Sequence, residues 1–534
     1  MHRVHLSGWG FLLLVGLLPS GPVSGQAPAT GGDFQVNTYT TDDQRFPDVA
    51  IDADGDFVVA WQSDGQDGSF DGIFGQRYDR LGDAVGSEFQ VNTYTTRDQA
   101  IVGVAMDDAG GFVVVWTDIS QDGASGGIFG RRYASSGGPV GGEFQAHTFT
   151  TSLQDNSRVA MDADGDFAVV WQSNGQDGSG LGVFGQLFSS SGAPVGGEFQ
   201  VNVSTTGSQS LPGLAMDADG DFVVVWASAH ADPDRDVFGR RYDSSGSPLG
   251  GEFLVNTHTP STQFLPDVSI DADGDFVVVW ASDGQDGSDF GVFGQRFSSA
   301  GFPVGGEFQV NSGTAYPQSF PDVAVRSDGQ FVVAWSSYRQ PRGGSIPDLD
   351  VDVVARRFSS SGVPVGGEFQ VNYATGGVQQ IPAVAIDDTG VFVVAWEDFG
   401  FPGDGDAFGV FAARSCGDAY ATPESLWPPN HAFLTVELAS VSGAAITIDS
   451  VFQDEPLGGK VPDCRMEEAG GSVELRAERE GSGNGRVYHV FYSAEGAGGE
   501  VCAGELLIGV LDNQGSGGEP IDDGALFESC SSAG

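Results

Sequence analysis

The stretch PDVAIDADGDFVVAWQSDGQDGSFDGIFGQRYDRLGDAVGSEFQVNTYT at residues 47–95 decides the fold, because the chain repeats it. Its tryptophan recurs, at spacings of 55, 55, 55, 54, 55 and 61 residues, as Trp61, Trp116, Trp171, Trp226, Trp280, Trp335 and Trp396. The phenylalanine near its end recurs as Phe34, Phe89, Phe144, Phe199, Phe253, Phe308 and Phe369. A fixed period of this length indicates a repeat architecture. The markers define seven units, which we number by their tryptophans.

Each unit contains four short runs of strand-forming residues separated by turn residues. In the first unit we call these runs strands a to d, and they are Pro47–Asp52, Phe57–Gln62, Gly72–Tyr78 and Glu88–Thr93. The Asp and Gly residues between a and b favour a tight hairpin, because glycine accepts a positive φ. Four short strands repeated seven times, with no helical periodicity, predict a β-propeller.

The order of the strands predicts how the ring closes. A d-type segment, Asp33–Asn37, precedes the first unit, whereas the seventh unit ends with its c strand at Phe408–Arg414. The strands balance only if the N-terminal segment completes the seventh unit, which would also protect the sheet edges. We therefore predict an all-β chain whose residues 33–416 form a seven-bladed β-propeller closed by an N-terminal strand.

The repeat motifs FVV-x-W and F-G-Q-R-[YF], here Phe57–Trp61 and Phe74–Tyr78, resemble the repeats of uncharacterised bacterial secreted proteins. That resemblance implies the propeller fold and no particular activity. Beyond residue 416 the period stops, and the segments LWPPNH (426–431), DEP (454–456), LRAER (475–479) and GSGNGRVY (481–488) follow. These segments resemble an Ig-like module of bacterial exported proteins, which implies a β-sandwich over residues 417–534. The chain departs from that module at 512–515, where DNQG replaces the end of P-H-D-Q-G.

The N-terminus predicts export. Residues 1–25 have the apolar run and small-residue cleavage site of a signal peptide, and residues 26–32 read as a short linker. We expect a secreted, periplasmic or cell-surface protein with no membrane span in the mature chain. The four cysteines of an exported chain suggest two disulfides, for which three pairings are possible. Of these we favour Cys464–Cys502 with Cys416–Cys530.

The charge of the chain limits its partners. With 73 acidic and 23 basic residues the net charge is −50, which repels nucleic-acid phosphate and anionic lipid. We therefore expect no nucleic-acid binding. An extracellular protein or a carbohydrate is the predicted partner of a monomeric chain.

Acidic loops between strands b and c are the predicted ligand-binding residues. In a propeller these loops would surround one face, and rigid scaffolds often carry binding residues on such loops. The predicted residues are Asp64, Asp67, Asp122, Asp177, Asp234, Asp286, Asp350 and Asp404. The alternative interpretation is a solvated acidic rim.

A second acidic pattern, Asp52, Asp54 and Asp56 in the a–b turn, is a candidate calcium site. Alternating carboxylates can bind Ca²⁺, although the glycine and glutamate positions of an EF-hand loop are absent here. The competing interpretation is turn chemistry, since glycine is the feature that all the equivalent turns share. Calcium is the cofactor that this pattern suggests.

The sequence contains no H-E-x-x-H or P-loop motif. It leaves open whether the protein is an enzyme and favours that it is not. We predict a non-enzymatic binding or adhesion protein that uses one loop face of the propeller to bind a surface partner or glycan. Two alternatives stay open. One is a glycoside hydrolase or lyase with carboxylates at the channel mouth, and the other is a structural matrix or surface-layer component.

The calcium hypothesis predicts a saturable rise in melting temperature when Ca²⁺ is titrated into the EDTA-treated mature protein. A ligand that binds only the folded state stabilises it, so the rise should occur at roughly micromolar to millimolar Ca²⁺. Differential scanning fluorimetry at constant ionic strength measures it, and matched Mg²⁺ is the control. A flat response would contradict the hypothesis.

Overall fold

The structure is a computed structural model that describes residues 30–123, 125–229, 234–339, 350–372, 377–399 and 407–415, together with strands between 419 and 531. The predicted signal peptide at 1–25 lies outside the described residues, as do Asp404 and Cys416. Every secondary-structure element in the described part of the chain is a β-strand. No helix there is long and apolar enough to cross a membrane.

Five antiparallel four-stranded sheets follow one another, one for each of the first five units. The first unit contains β2 (Gln44–Ile51), β3 (Phe57–Asp64), β4 (Asp71–Tyr78) and β5 (Ala84–Gln90). The second contains β6 (Gln99–Met106), β7 (Phe112–Asp118), β8 (Gly127–Tyr133) and β9 (Pro139–Gln145). The third contains β10 (Gln154–Met161), β11 (Phe167–Asn174), β12 (Leu181–Phe188) and β13 (Pro194–Gln200). The fourth contains β14 (Gln209–Met216), β15 (Phe222–Ser228), β16 (Asp236–Tyr242) and β17 (Phe253–Leu254), and the fifth contains β18 (Gln263–Ile270), β19 (Phe276–Asp283), β20 (Phe290–Phe297) and β21 (Pro303–Gln309).

The sixth and seventh units form one eight-stranded sheet. The sixth unit contributes β22 (Gln318–Val325), β23 (Phe331–Arg339), β24 (Asp350–Phe358) and β25 (Pro364–Gln370). The seventh contributes β26 (Val378–Ile386), β27 (Phe392–Phe399) and β28 (Phe408–Ser415), and its fourth strand is β1 (Thr30–Gln35). A single parallel pair, Val351 with Val378, joins the two halves. Four-stranded, β-propeller-like sheets therefore repeat along the chain.

Strands a, b and c lie where the sequence predicts them, but strand d of the first unit begins earlier than expected. The prediction places it at residues 88–93, whereas β5 spans Ala84–Gln90. The turn between Asp79 and Asp83 returns the chain directly into the sheet, so that Ala84 pairs with Tyr78. Gly86 adopts φ +80° near a register shift. This irregularity interrupts the strand-like sequence pattern.

The a–b turn is held by its own aspartate. One carboxylate oxygen of Asp52 accepts hydrogen bonds from the backbone N–H groups of Asp54 (3.0 Å) and Asp56 (2.9 Å). Gly55 adopts φ +86°, which an L-residue with a side chain rarely does. These contacts give the recurring aspartate and glycine of the turn a structural role.

The core lies between neighbouring sheets. All seven repeat tryptophans are fully buried at 0% exposure and therefore pack in the core. Each hydrophobic cluster of the repeat region combines residues of two neighbouring units, and Trp116, for example, shares a cluster with Val58 and Ala60 of the preceding unit. Apolar burial between sheets is therefore the main cohesive interaction of the repeats.

The first and last units are also in contact. Strand β1 pairs antiparallel with β28, with Phe34 opposite Ala412. Phe34 then packs against Tyr78 of the first unit, with ring centroids 5.2 Å apart. The predicted pairing of the N-terminal segment with the last strand is thus confirmed, although β1 begins at Thr30, inside the predicted linker.

The C-terminal part forms two further sheets around one hydrophobic cluster. One sheet contains β29 (Ala419–Thr422), β31 (Phe433–Ser440), β34 (Ser472–Arg476) and β33 (Cys464–Met466). The other contains β30 (Ser425–Leu426), β36 (Val501–Val510), β35 (Arg486–Glu495), β32 (Ala445–Gln453) and β37 (Phe527–Ser531). Both sheets place residues in the cluster, for example Val436 and Val490.

Cys464 is buried in this cluster and is disulfide-bonded. The side chains of Cys502 and Cys530, on β36 and β37, lie outside the described ones, as does Cys416. The pairing Cys464–Cys502 with Cys416–Cys530 therefore stays a prediction.

Deletion of residues 26–40 is expected to lower the melting temperature strongly. It removes β1, exposes the edge of β28, and takes the Phe34 ring away from Tyr78. Thermal unfolding followed by circular dichroism measures the effect. The control is Phe302→Ser, which changes a side chain that is 70% exposed and should leave melting unchanged. Equal melting of the deletion variant and the full chain would contradict a stabilising role for β1.

Candidate functional site

The first strands of the seven units lie next to one another, and we call the space that they share the channel. They contact one another in chain order from β2 to β26, and β26 in turn contacts β2. Every first strand contains a register shift against its neighbour in the same sheet. Each shift marks a bulge in that strand.

A residue with positive φ lies in each bulge, in a region that residues other than glycine rarely adopt. These residues, with φ between 51° and 56°, are Phe46, Ile101, Asn156, Leu211, Leu265, Phe320 and Ile381. The backbone N–H of Ile101 donates to the Gln62 side chain of the preceding unit (3.2 Å), and that of Leu211 donates to Gln172 (3.0 Å). The same strained backbone conformation recurs in all seven units, so it belongs to the repeat architecture. The hydrogen bonds between units stabilise it.

The residue two positions after each bulge residue varies between units. In chain order these residues are Asp48, Gly103, Arg158, Gly213, Asp267, Asp322 and Ala383. Electrostatic interactions connect Asp48 with Arg158, Asp267 and Asp322, although they come from four different units. Four charged side chains therefore converge in the channel, and we call them the channel cluster.

One oxygen of each carboxylate is bound to the backbone of the next unit. Asp48 accepts a hydrogen bond from the N–H of Val104 (2.7 Å). Asp322 accepts one from Val384 (2.6 Å), and Asp267 accepts one from Val323 (3.0 Å). These contacts fix the carboxyl groups in position.

The surroundings of the cluster favour protonated carboxyl groups. Burial raises the pKa of Asp48 to about 6, although the Val104 hydrogen bond and the Arg158 charge oppose the rise. Burial and then the negative charge of Asp267 raise the pKa of Asp322 well above its ordinary value. The hydrogen bond between the two groups raises the pKa of Asp322 further and opposes the rise that burial gives the pKa of Asp267, which still lies above its ordinary value. Of this pair, Asp322 is the group that holds a proton more readily.

A cavity of about 100 Å³ opens beside the cluster. Its polar lining includes Arg158, Asp267 and Asp322, and its apolar lining includes Leu211, Leu265 and Phe320. Arg158 is exposed in it, whereas the three aspartates are half-buried. The cavity thus offers a cationic group, two carboxyl groups with raised pKa values and apolar walls to a small part of a ligand.

The predicted b–c loop aspartates mainly hold their own loops. Asp67, Asp177 and Asp286 each accept a hydrogen bond of 2.9 Å from the backbone of the serine two residues later. Asp122 lies 3.2 Å from the Nε2 atom of His147, and both side chains are fully buried. These contacts provide a structural role for the four residues, and their predicted ligand binding stays a prediction.

The remaining predicted residues have different surroundings. Asp64 pairs across the hairpin with Asp71, and burial followed by the Asp64 charge raises the pKa of Asp71 to about 7. Asp234 is exposed, and Asp350 is half-buried at the start of β24. Each of these residues lies in the b–c region of its own unit.

The candidate calcium residues share the a–b turn. Asp52 binds backbone N–H groups as described above, and Asp56 accepts a hydrogen bond from the N–H of Arg80 (2.9 Å). Within the described part of the chain, no group of three or more His, Cys, Asp or Glu side chains is arranged to hold a metal ion. Calcium binding therefore stays a prediction for the titration above.

Sequence reasoning missed the channel cluster. The available signal was the recurrence of Pro-Asp-Val at 47–49, 266–268 and 321–323, against Gly, Arg or Ala in the other units. That pattern resembles ordinary variation along a strand. Only the closed ring shows that these positions meet.

No protein-family model and no curated protein matches the chain. Among solved structures, a protein of unknown function from Dyadobacter fermentans is 11% identical, with a TM-score of 0.43, over 72% of this chain and 98% of its own. A fungal alcohol oxidase is 12% identical, with a TM-score of 0.45, over 90% and 100%. The GH93 α-L-arabinofuranosidase of Fusarium graminearum is 11% identical, with a TM-score of 0.40, over 59% and 92%. Because these TM-scores lie below 0.5, the similarities carry no argument about activity.

Asp48→Asn should become more stable relative to the wild type as the pH rises from 3.8 to about 6. The raised pKa means that the folded state binds the Asp48 proton more tightly than the unfolded state. Ionisation of Asp48 therefore lowers the free energy of unfolding of the wild type within this window and above it. Asparagine does not ionise, so the variant does not lose this stability. Urea unfolding at several pH values measures the difference in unfolding free energy.

The control for that experiment is Asp243→Asn, because hydrogen bonds from Ser245 and Ser247 lower the pKa of Asp243. This variant should lose stability relative to the wild type as the pH rises, which is the opposite sign. A pH-independent difference for Asp48→Asn would show that its carboxyl group does not titrate differently in the folded protein.

Proposed function

We propose that residues 30–415 form a seven-bladed β-propeller closed by β1, and that an Ig-like β-sandwich follows it. The eight-stranded sheet counts as two blades that share one parallel pair, which supports seven blades in all. The closed succession of first strands supports a ring. The two C-terminal sheets around one cluster support a sandwich.

We propose that this exported protein cleaves a polysaccharide and that the channel cluster is its active site. The observation that carries the proposal is the convergence of Arg158 with three carboxyl groups, all of which have raised pKa values. Perturbed pKa values in a cleft are typical of groups that transfer protons. The sequence left this reaction class as an alternative, and the channel now favours it over non-enzymatic binding.

The cluster supplies the two groups that cleavage of a glycosidic bond requires. Asp322, whose pKa is raised well above its ordinary value, would donate its proton to the leaving oxygen, while an ionised carboxylate would accept a proton from the attacking water. Asp48, with a pKa of about 6, changes its charge close to neutral pH and is the second candidate acid. Arg158 would orient hydroxyl or carboxylate groups of the sugar, because a guanidinium offers several fixed donors.

Non-enzymatic glycan binding is the second candidate, and the size of the cavity favours it. A volume of about 100 Å³ is small beside the roughly 300–1,000 Å³ of typical ligand sites. Each carboxylate is also bound to the backbone of the neighbouring unit already. In this case the carboxyl groups would join the units, and a glycan would bind the b–c loop face.

Incubation of the mature protein with a panel of polysaccharides distinguishes the two candidates. An enzyme would release new reducing ends or, for a lyase, unsaturated ends. Asp322→Asn should lower kcat by about 10²–10⁴-fold, the usual contribution of an acid–base group. The control is Asp164→Asn, which changes an exposed carboxylate outside the channel. Binding without cleavage by the wild type would contradict the enzymatic proposal.

A further inference from the structure

One arginine position breaks the repeat at the boundary between the third and fourth units. The penultimate residue of strand c is arginine in six units and leucine in the third, the series being Arg77, Arg132, Leu187, Arg241, Arg296, Arg357 and Arg414. The neighbouring repeat residues, including the aromatic residue that follows, are retained in the third unit as Phe188. The change is therefore local to one boundary.

In the sister units this arginine reaches across to the next unit. Arg77 donates to the backbone carbonyl of Ser135, Arg132 to those of Ser190 and Ser191, and Arg296 to that of Ser361. Each acceptor lies in the c–d turn of the following unit. A guanidinium group on an alkyl stem is thus what this position normally holds.

Arg241 occupies the same place between the fourth and fifth units. A Cβ atom added to Gly301 of the next c–d turn would lie 2.8 Å from its Nη1 atom. The positive charge of Arg241 also interacts with Asp221, which ends the a–b turn of the same unit. The boundary therefore pairs a carboxylate with the bridging arginine.

Between the third and fourth units Leu187 reaches only to Gly246, where an added Cβ atom would lie 2.9 Å from its Cδ1 atom. A groove of about 270 Å³ opens at this boundary. Its apolar lining is Phe167, Leu187, Phe188, Val195 and Met216. The hydroxyl-bearing Ser244 lies at the turn of the fourth unit.

Four carboxylates complete the lining, namely Asp162, Asp164, Asp166 and Asp219. No arginine, lysine or histidine lines the groove beside them. Asp164, Asp166 and Asp219 are exposed, so a ligand can reach them. Burial, together with the charges of Asp166 and Asp164, raises the pKa of Asp162, because the negative groups lie close together.

We propose that this groove binds the arginine side chain of a peptide ligand. The guanidinium of the ligand would lie where the bridging arginine lies in the sister units, because Leu187 replaces that arginine here. The aliphatic stem of arginine matches the apolar walls, and its planar donors match the turn carbonyls and carboxylates. The precedent is internal, since the sister boundaries hold this chemical group with their own chain. The site lies on the turn face and is independent of the channel proposal.

The probe is N-acetyl-leucyl-arginine amide, and its control ligand is the citrulline analogue, in which a neutral urea replaces the guanidinium. Isothermal titration calorimetry should give saturable binding of one equivalent of the arginine peptide. The citrulline peptide should bind at least about tenfold more weakly, since hydrogen bonds to charged donors are the stronger ones. Equal binding of both peptides would overturn the proposal.

Leu187→Arg should abolish this binding, because the new side chain fills the groove as Arg132 fills the preceding one. The variant restores the residue of the sister units, so its melting temperature should not fall. Arg241→Leu is the matched variant, since its boundary carries Asp217, Asp219, Asp221 and Asp273 at the equivalent places. It should bind a second equivalent of the peptide.

Retained binding by Leu187→Arg would overturn the proposal even if Arg241→Leu does not fold. Asp322→Asn, in the channel, should bind the arginine peptide as the wild type does. Failure of polysaccharide cleavage and failure of peptide binding are therefore distinguishable.

Discussion

Packing between consecutive units is the constraint on which the rest of the structure depends. Each four-stranded sheet has two apolar faces, and each face is covered only by the neighbouring unit. A stack of such sheets would leave two faces exposed unless the ends met. The ring meets at β1, which hydrogen-bonds to β28 and places Phe34 on Tyr78. The N-terminal strand thus connects the beginning and end of the repeat region.

The closing boundary also carries its own polar contact. The N–H of the first bulge residue, Phe46, donates a hydrogen bond to the buried carboxylate of Glu397. At an equivalent boundary the N–H of Ile101 donates to a neutral side-chain amide, that of Gln62. Arg45 lies 3.3 Å from Glu397 and compensates its charge. A buried carboxylate is tolerated only with such partners. The boundary between the last and first units therefore uses the same backbone bulge as the others, but it holds an ion pair in place of a neutral amide contact.

Regular repetition makes departures from it informative. Residues that hold turns and sheets together recur in most units, as the a–b turn aspartates do. Arg158 in the channel and Leu187 at the third boundary do not recur. Both change the chemistry of a cavity. Symmetric positions thus explain the fold, and the positions that differ are where we place function.

The sequence by itself determined the period, the strands a to c, the hairpin turns and the pairing of the N-terminal segment with the seventh unit. These features follow from short-range patterns of apolar, glycine and aspartate residues, and from a count of strands. Strand d was predicted less well, because the bulge at Gly86 interrupts its pattern. Four of the predicted loop aspartates, Asp67, Asp122, Asp177 and Asp286, contact backbone or a buried side chain of their own units, which a sequence pattern cannot distinguish from free carboxylates.

Only the tertiary structure decided where chemistry can occur. Asp48 and Asp322 are 274 residues apart (322 − 48), yet their charges interact because the ring brings first strands from different units to one axis. The groove beside Leu187 likewise depends on what the next unit places opposite it. Local propensity acts along the chain, whereas burial, charge coupling and cavity shape depend on the closed ring, and for that reason the sites were not visible in the sequence.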